Sequence, residues 1–325
     1  MWDELVALIR SHDRFLISTH EYPDGDAIGT QVALATFLGE LGKASVLVNE
    51  HPVPQIYRFL DPEGRIRTYQ PERDDPDIRT CGAAILVDIG SLDRVGRVGD
   101  AIRRHNLPIA CIDHHVTNNG VGDIDVIVPD ASSSASLVLD LIRRMGKEPS
   151  ARVAEALFIG LGTDTGWFRF ANARPQSFRE AAELVERGAQ PARLYGLIYE
   201  NLSWPRTRLL ARALATLQSD ADGRIAYVAI TRQMFEETGA TDDEVEGFVD
   251  KLRELGGVEV IIMFREPPEG GTKVSLRAKH DADVGSLAAR FGGGGHRRAA
   301  GATLKTPLET TIPLILAAAR DLLDG

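Results

Sequence analysis

Ile109-Ala110-Cys111-Ile112-Asp113-His114-His115 is an apolar run that ends abruptly in one carboxylate and two imidazoles. A short continuous apolar run is the signature of a strand buried on both faces, and ligands of open α/β sheets collect beyond the carboxyl ends of such strands. The stretch is therefore expected to be a buried strand that sets Asp113, His114 and His115 at a ligand-binding edge. Taken alone, it equally suits a strand end with a capping Asp and two solvated histidines. The rest of the same half of the chain decides between the two, because other apolar runs there also end in acidic residues.

Working outward, residues 14–19 form a first apolar strand, followed by the loop His20-Glu21-Tyr22-Pro23-Asp24-Gly25-Asp26. A helical spacing over 27–41 is closed by Gly42, and strands are expected at 44–48, at 83–87 before Asp88, and at 125–128. A helix over 133–145 stops at Gly146, and another over 151–161 leads into an acidic turn that holds Asp164 beside Trp167, Phe168 and Phe170. Strands alternating with helices indicate an α/β fold, a doubly wound parallel sheet. Helices follow over 175–187, 191–199 and 205–218. After Gly223 the pattern changes to strands at 225–231, 258–265 and 272–279, with helices over 242–255 and 311–323, which reads as a smaller α+β domain. The expected division is a catalytic domain over 1–190, a helical connector over 191–220 and a second domain over 221–325.

The chain has 325 residues, 43% hydrophobic and 26% charged, which suits a globular protein of two domains. Its net charge of −10 argues against a broad basic surface for duplex DNA, yet leaves room for a short anionic substrate in a local basic pocket. Cys81 and Cys111 lie in apolar contexts without metal-ligand spacing and read as small core residues in a reducing, cytoplasmic compartment. The amphipathic start carries Asp3 and Glu4 and lacks the features of a signal peptide, and no apolar run is long enough to span a membrane.

Collected from the strand ends and the later turn, His20, Asp24, Asp26, Asp88, Asp113, His114, His115 and Asp164 would converge on one edge. Clustered carboxylates repel one another unless cations neutralise them, and a pair of divalent ions would do so. Oxygen and imidazole donors without thiolate favour Mn²⁺ over structural Zn²⁺. Two such ions stabilise both the attacking and the leaving oxygen of a phosphoryl displacement, so the expected reaction is hydrolysis of a phosphate ester.

The combination His20-x-x-x-Asp24-x-Asp26, Asp88, Asp113-His114-His115 and Asp164, with a glycine run and His296-Arg297-Arg298 near the end, resembles the DHH/DHHA1 phosphoesterases over nearly the whole chain. Within that family it looks most like the nanoRNase and 3′-phosphoadenosine-5′-phosphate phosphatase type. The resemblance implies a DHH domain followed by a DHHA1 domain. It implies that His20 and Asp24 hold one metal, that Asp26, His114 and Asp164 hold the other, and that Asp88 bridges them. By the same resemblance Asp113 is a supporting carboxylate and His115 contacts the scissile phosphate, which makes His115, Asp113 and Asp88 the catalytic set. Arg277 would clamp a terminal phosphate.

Glycines let backbone N–H groups approach phosphate closely, so Gly293, Gly294, Gly295, His296 and Arg297 are candidate substrate contacts. Ser133, in a serine run before a helix, is a candidate phosphate contact or an N-cap. Trp167, Phe168 and Phe170 are divided between base stacking and core packing.

The implied activity is cleavage of short RNA or dinucleotides to mononucleotides, with 3′-phosphatase action on adenosine 3′,5′-bisphosphate. Net charge speaks against duplex DNA as a partner and the lack of a long apolar run against a membrane, while a homodimer stays open. The rival readings are a cyclic- or linear-dinucleotide phosphodiesterase, a RecJ-like exonuclease for long single strands, a family II inorganic pyrophosphatase and, from another class, a nucleotide-binding regulator with an inactive site.

Overall fold

The apolar runs of the first half lie side by side. The computed structural model describes residues 1–245 and 247–324. In it, α1 (Trp2–Ser11) leads to β1 (Arg14–Ser18), α2 (Gly25–Glu40), β2 (Ala44–Asn49), β3 (Arg67–Thr68), α3 (Pro71–Ile78), β4 (Ala83–Val87), α4 (Arg97–Arg104), β5 (Ile109–Asp113) and β6 (Ile124–Ile127). Four helices follow: α5 (Ser134–Arg144), α6 (Ala151–Asp164), α7 (Pro175–Glu186) and α8 (Pro191–Tyr199). The strands pair in the order β3-β2-β1-β4-β5-β6, every neighbour parallel. This is the doubly wound sheet expected from the alternation of strands and helices. The order reverses at β1, so the loops after β1 and β4 flank a switch point, where the sheet opens a crevice at its carboxyl edge.

Alternate strand residues feed two apolar layers. Phe15, Ile17, Ile85, Val87, Ala110 and Ile112 pack with α2, α5 and α6, while Leu16, Val46, Val48, Ala84, Leu86 and Cys111 pack under Ile78 of α3 and Val98, Ala101 and Ile102 of α4. Cys81 and Cys111 are buried, free thiols. Helices α2 and α6 cross at backbone distance. A Cβ on Gly29 would stand 2.5 Å from the Ala156 carbonyl oxygen, and one on Gly160 would stand 2.7 Å from Asp26 Oδ1. Glycine is thus needed at this crossing, which sets Asp26 of α2 beside α6.

One local expectation changes here. The helix expected over 151–161 runs on to Asp164, because Thr163 is held by Oγ1 bonds to the Ile159 and Gly160 carbonyls and the left-handed Gly166 stops the helix only afterwards. Asp164 is therefore a helix-end residue and not part of a turn. The structure adds three short elements: α3, polar apart from its prolines and Ile78, the two-residue β3, and α4, whose Val98, Ala101 and Ile102 do lie at helical spacing but over only eight residues.

The chain forms two compact units, divided between Asn201 and Leu202. Helix α8 belongs to the first unit, and α9 (Trp204–Ala215) belongs to the second. The second unit continues with β7 (Gln218–Asp220), β8 (Ile225–Ile230), α10 (Arg232–Thr238), α11 (Phe248–Lys251), β9 (Val260–Arg265), β10 (Thr272–Ala278), α12 (Val284–Ala289), β11 (Gly294–His296), β12 (Ala299–Leu304) and α13 (Leu308–Asp324). Its sheet runs β11-β12-β10-β9-β8-β7, antiparallel except for the parallel β8–β9 pair. One face packs on α12 and α13, and the other on α9 and α11.

The helix expected over 242–255 is instead broken. A 3₁₀ turn at Asp242–Val245, α11 and a 3₁₀ turn at Leu252–Glu254 replace it, with left-handed Gly247 at the break; Glu246 lies outside the described residues. The glycine run is also more ordered than a loop. Gly294, Gly295 and His296 pair with Gly301, Ala300 and Ala299 as an edge hairpin.

The α2–α6 crossing yields the first prediction. Gly29→Ala forces its Cβ against the Ala156 carbonyl and should destabilise the protein by about 1–3 kcal/mol. Urea unfolding followed by circular dichroism measures this as a lower midpoint. An unchanged midpoint would show that the helices separate without cost.

Candidate metal centre

Each arm of the crevice delivers acidic or imidazole side chains for a local reason. After β1, Asp24 caps α2, its Oδ1 accepting from the Asp26 N–H at 3.0 Å and the Ala27 N–H at 3.1 Å. That turn puts Asp26 in the helix's first turn and leaves His20 at the strand end. After β4, Asp88 takes a left-handed φ of 57° while its N–H still donates to the Ile112 carbonyl at 3.0 Å. A non-glycine residue in this region carries backbone strain, and such strain gathers at functional sites. After β5 come Asp113, His114 and His115, and α6 ends in Asp164.

Within the first unit these side chains form three overlapping groups, in each of which the donor atoms lie within 4.8 Å of one another: His20, Asp24 and Asp88; Asp26, His114 and Asp164; and Asp88, His114 and His115. Asp88 joins them. Its Oδ2 lies 3.7 Å from His20 Nε2, and its Oδ1 lies 3.6 Å from His114 Nε2. His114 Nε2 in turn stands 3.6 Å from Asp164 Oδ2 and 3.9 Å from Asp26 Oδ2. These gaps are too long for hydrogen bonds and slightly exceed the roughly 3.0–3.5 Å edges of a donor shell at about 2.1 Å from a divalent ion.

The groups fit metal ligation by donor chemistry as well. Asp26 and Asp88 are almost wholly buried with no Lys or Arg bonded to them among the described residues, and the buried His20 Nδ1 has no hydrogen-bond partner.

Backbone and neutral groups carry part of the negative charge. The first N–H groups of α5, from Ser134 and Ala135, donate to Asp26 Oδ2 and Oδ1 at 2.6 and 3.0 Å, and Thr30 Oγ1 donates to Oδ1 at 3.0 Å. A helix N-terminus favours an anion at this position. Ser134 Oγ donates to Asp88 Oδ1 at 3.0 Å. Ser133, the residue expected at the substrate, is wholly buried and caps α5 through the Ser136 N–H at 3.1 Å, so its neighbour Ser134 is the serine that meets the carboxylates. Asn172 Nδ2 donates to Asp164 Oδ2 at 3.1 Å.

Asp113 stands behind the cluster. Its Oδ1 accepts from His115 Nδ1 at 2.7 Å and its Oδ2 from Asn118 Nδ2 at 2.7 Å, and Asn118 also bonds the Ile89 carbonyl at 2.9 Å. A carboxylate can only accept here, so His115 carries its proton on Nδ1 and presents Nε2 elsewhere. Ser134 lay within a serine run noted in the sequence; Thr30, Asn118 and Asn172 carried no signal there, being short polar residues without distinctive spacing.

The electrostatics follow from crowding. Burial pushes the Asp26 carboxyl well up, and the charges of Asp88 and Asp164 add to the effect. Asp24 keeps one side in solvent, yet lost hydration on its other side and the charge of Asp88 raise it too. For Asp164, burial outweighs the attraction of His114 and pushes it up to about 6. Burial works against ionisation of Asp88 as well, but the His114 and His20 imidazoles prevail and hold it below the usual carboxylate range. Burial likewise opposes charge on His114, but Asp88, Asp26 and Asp164 together push it up to about 10. His115 is raised by its hydrogen bond to Asp113.

The remaining candidates lie elsewhere. Trp167 and Phe168 are half-buried against the first unit's core, whereas Phe170 is exposed with the Arg169 guanidinium 6.0 Å from its ring centre. In the second unit, Arg277 Nε donates to Asp250 Oδ1 at 3.2 Å, and Arg297 Nη2 donates to the Asp281 carbonyl at 2.8 Å. Gly294, Gly295 and His296 are exposed on β11, whose outer edge pairs with no strand among the described residues. Gly293 and Gly295 are needed there, since a Cβ on either would stand 2.1 or 2.6 Å from a β12 carbonyl oxygen.

The family profile described as DHH family, N-terminal domain, matches residues 14–161, and the DHHA1 domain profile matches residues 222–325. A Thermus thermophilus protein named bifunctional oligoribonuclease and PAP phosphatase NrnA is 35% identical over 307 residues, covering 94% of this chain and 89% of the relative. A Bacillus subtilis protein of the same name is 25% identical over 307 residues, covering 94% and 93%. The crystal structure of an exopolyphosphatase-related protein from Bacteroides fragilis matches at a TM-score of 0.92 and 26% identity, over 98% of this chain and 95% of that one.

A divalent ion and a proton compete for His114, because only the neutral imidazole ligates. With His114 pushed up to about 10 and Asp164 to about 6, divalent-ion affinity should rise steadily between about pH 6 and pH 9, with proton release on binding. Calorimetric titration of Mn²⁺ in buffers of different ionisation enthalpy counts those protons. Affinity independent of pH would contradict this ordering of charge.

Proposed function

Since the chain belongs to the DHH family, with a DHHA1 domain at its C-terminal end, we propose that it is a two-metal phosphoesterase that hydrolyses short oligoribonucleotides to mononucleotides and removes the 3′-phosphate of adenosine 3′,5′-bisphosphate. The observation that carries this reading is the double engagement of Asp88, Oδ2 toward His20, with which Asp24 is grouped, and Oδ1 toward His114, the imidazole that Asp26 and Asp164 also face. His20 and Asp24 would hold one ion and Asp26, His114 and Asp164 the other, with Asp88 shared. The all-oxygen and imidazole donor set favours Mn²⁺. When bound, such ions supply Lewis-acid stabilisation of a phosphoryl oxygen and lower the pKa of a water that attacks phosphorus.

The chain's own residues supply orientation and protons. Asp113 and Asn118 lock the His115 ring, and the raised proton affinity of His115 keeps a donor available at Nε2 for a phosphoryl oxygen. His115 is exposed enough to meet a substrate, with 37% of its side chain accessible. The α5 N-terminus and Thr30 fix Asp26, Ser134 fixes Asp88, and Asn172 fixes Asp164. In the second unit, Arg277, His296, Arg297 and the glycines of β11 are the residues we assign to gripping the non-reacting part of the nucleotide; the exposed outer edge of β11 supports that role. Substrates of this kind belong to the cytoplasm. No described helix is long and apolar enough to cross a membrane.

Net charge supports a short substrate. Each added phosphate of a long strand meets a molecule with a net charge of −10. With Mn²⁺ present, kcat/KM on labelled RNA should be at least about tenfold higher for two to five nucleotides than for about twenty, with adenosine 3′,5′-bisphosphate also dephosphorylated. Equal or faster cleavage of the long strand would overturn the assignment in favour of a processive exonuclease.

A further inference from the structure

The loop that carries His20 and Asp24 also carries a side chain that the chemistry above does not use. Tyr22 is 67% exposed although its neighbour Pro23 is buried. Its ring lies on the His51 imidazole with centroids 4.8 Å apart and planes at 19°. The stack is held in place from behind: His51 Nδ1 donates to the Glu21 carbonyl at 2.5 Å, and the Glu21 N–H donates to the Arg94 carbonyl at 2.6 Å. An exposed tyrosine on a mobile loop would cost ordering entropy on binding, whereas this ring is already fixed, with one face backed by an aromatic and much of its surface in solvent.

Position matters as much as rigidity. Tyr22 is two residues from His20 and two from Asp24, and two residues span at most about 7 Å. Its Cα therefore lies within about 7 Å of those of His20 and Asp24, the residues assigned to one of the two ions. An aromatic face at that distance stacks any base, which is how proteins hold single strands without reading their sequence. We propose that the Tyr22–His51 stack is the platform for the nucleobase next to the scissile phosphate, and that it makes the site selective for nucleotide esters over phosphate esters without a base. The inference rests on the oligonucleotide reading and adds the residue pair that recognises the base.

The test compares kcat/KM of the Mn²⁺-loaded full chain on a diadenosine dinucleotide and on the same sugar-phosphate lacking both bases, with metal content measured in each variant. Tyr22→Ala should lower the ratio of the two values by about five- to a hundredfold at unchanged metal content. Tyr22→Phe, which keeps the ring, should hold the ratio within about twofold of the wild type, and His51→Ala should lower it in the same direction as Tyr22→Ala. A ratio unmoved by Tyr22→Ala, a Tyr22→Phe variant as impaired as Tyr22→Ala, or a loss of metal that parallels the loss of activity would overturn the platform while leaving the phosphoesterase reading intact. A wild-type chain that cleaves neither compound would overturn the oligonucleotide reading, and the platform with it.

Discussion

Mutual repulsion among buried carboxylates is the constraint on which the rest of the first unit depends. Asp26 and Asp88 are almost wholly buried, and Asp24 and Asp164 border them closely enough to raise one another's proton affinity. Left without cations, such a group resolves its charge by taking up protons, and it does so unevenly: Asp88 stays ionised between two imidazoles while Asp26 and Asp164 move up. An arrangement this unfavourable persists only where the surrounding fold determines it, and where a bound cation repays it.

The fold determines it through backbone rather than through opposing charges. The reversal of strand order at β1 brings the ends of β1 and β4 together, and the parallel neighbour β5 adds His114 and His115. Gly29 and Gly160 let α2 and α6 approach at backbone distance, which brings Asp26 and Asp164 to one imidazole. The α5 N-terminus then turns two N–H groups on Asp26. A Lys or Arg in that place would cancel the negative charge permanently and exclude a divalent ion. Helix N–H groups stabilise it by partial charge and leave the site attractive to cations.

Legibility in the sequence followed the strength of local pattern. The run before Asp113 is apolar at every position, which marks a buried parallel strand, and acidic strand ends repeated along the chain point to one edge from the sequence alone. Patterns shared between segments were not legible in that way. Asp164 looked like a turn residue because Gly162 and Gly166 suggest a break, but α6 tolerates Gly162 and ends only at Asp164. Ser133 and Ser134 are indistinguishable as letters; helical phase alone decides that one caps and the other meets Asp88. Asn118 and Asn172 act through contacts with residues that no local pattern ties to them. In the second unit, the apolar spacing over 242–255 suggested one helix, and the left-handed Gly247 broke it.

The central claim is that Asp88 is shared by two ions, and anomalous diffraction from crystals grown with Mn²⁺ tests it directly. The account predicts two anomalous peaks about 3.5–4 Å apart, with Asp88 Oδ2 on the ion held by His20 and Asp24 and Oδ1 on the ion held by Asp26, His114 and Asp164. A single peak at full Mn²⁺ occupancy, or two peaks with Asp88 touching only one, would contradict it.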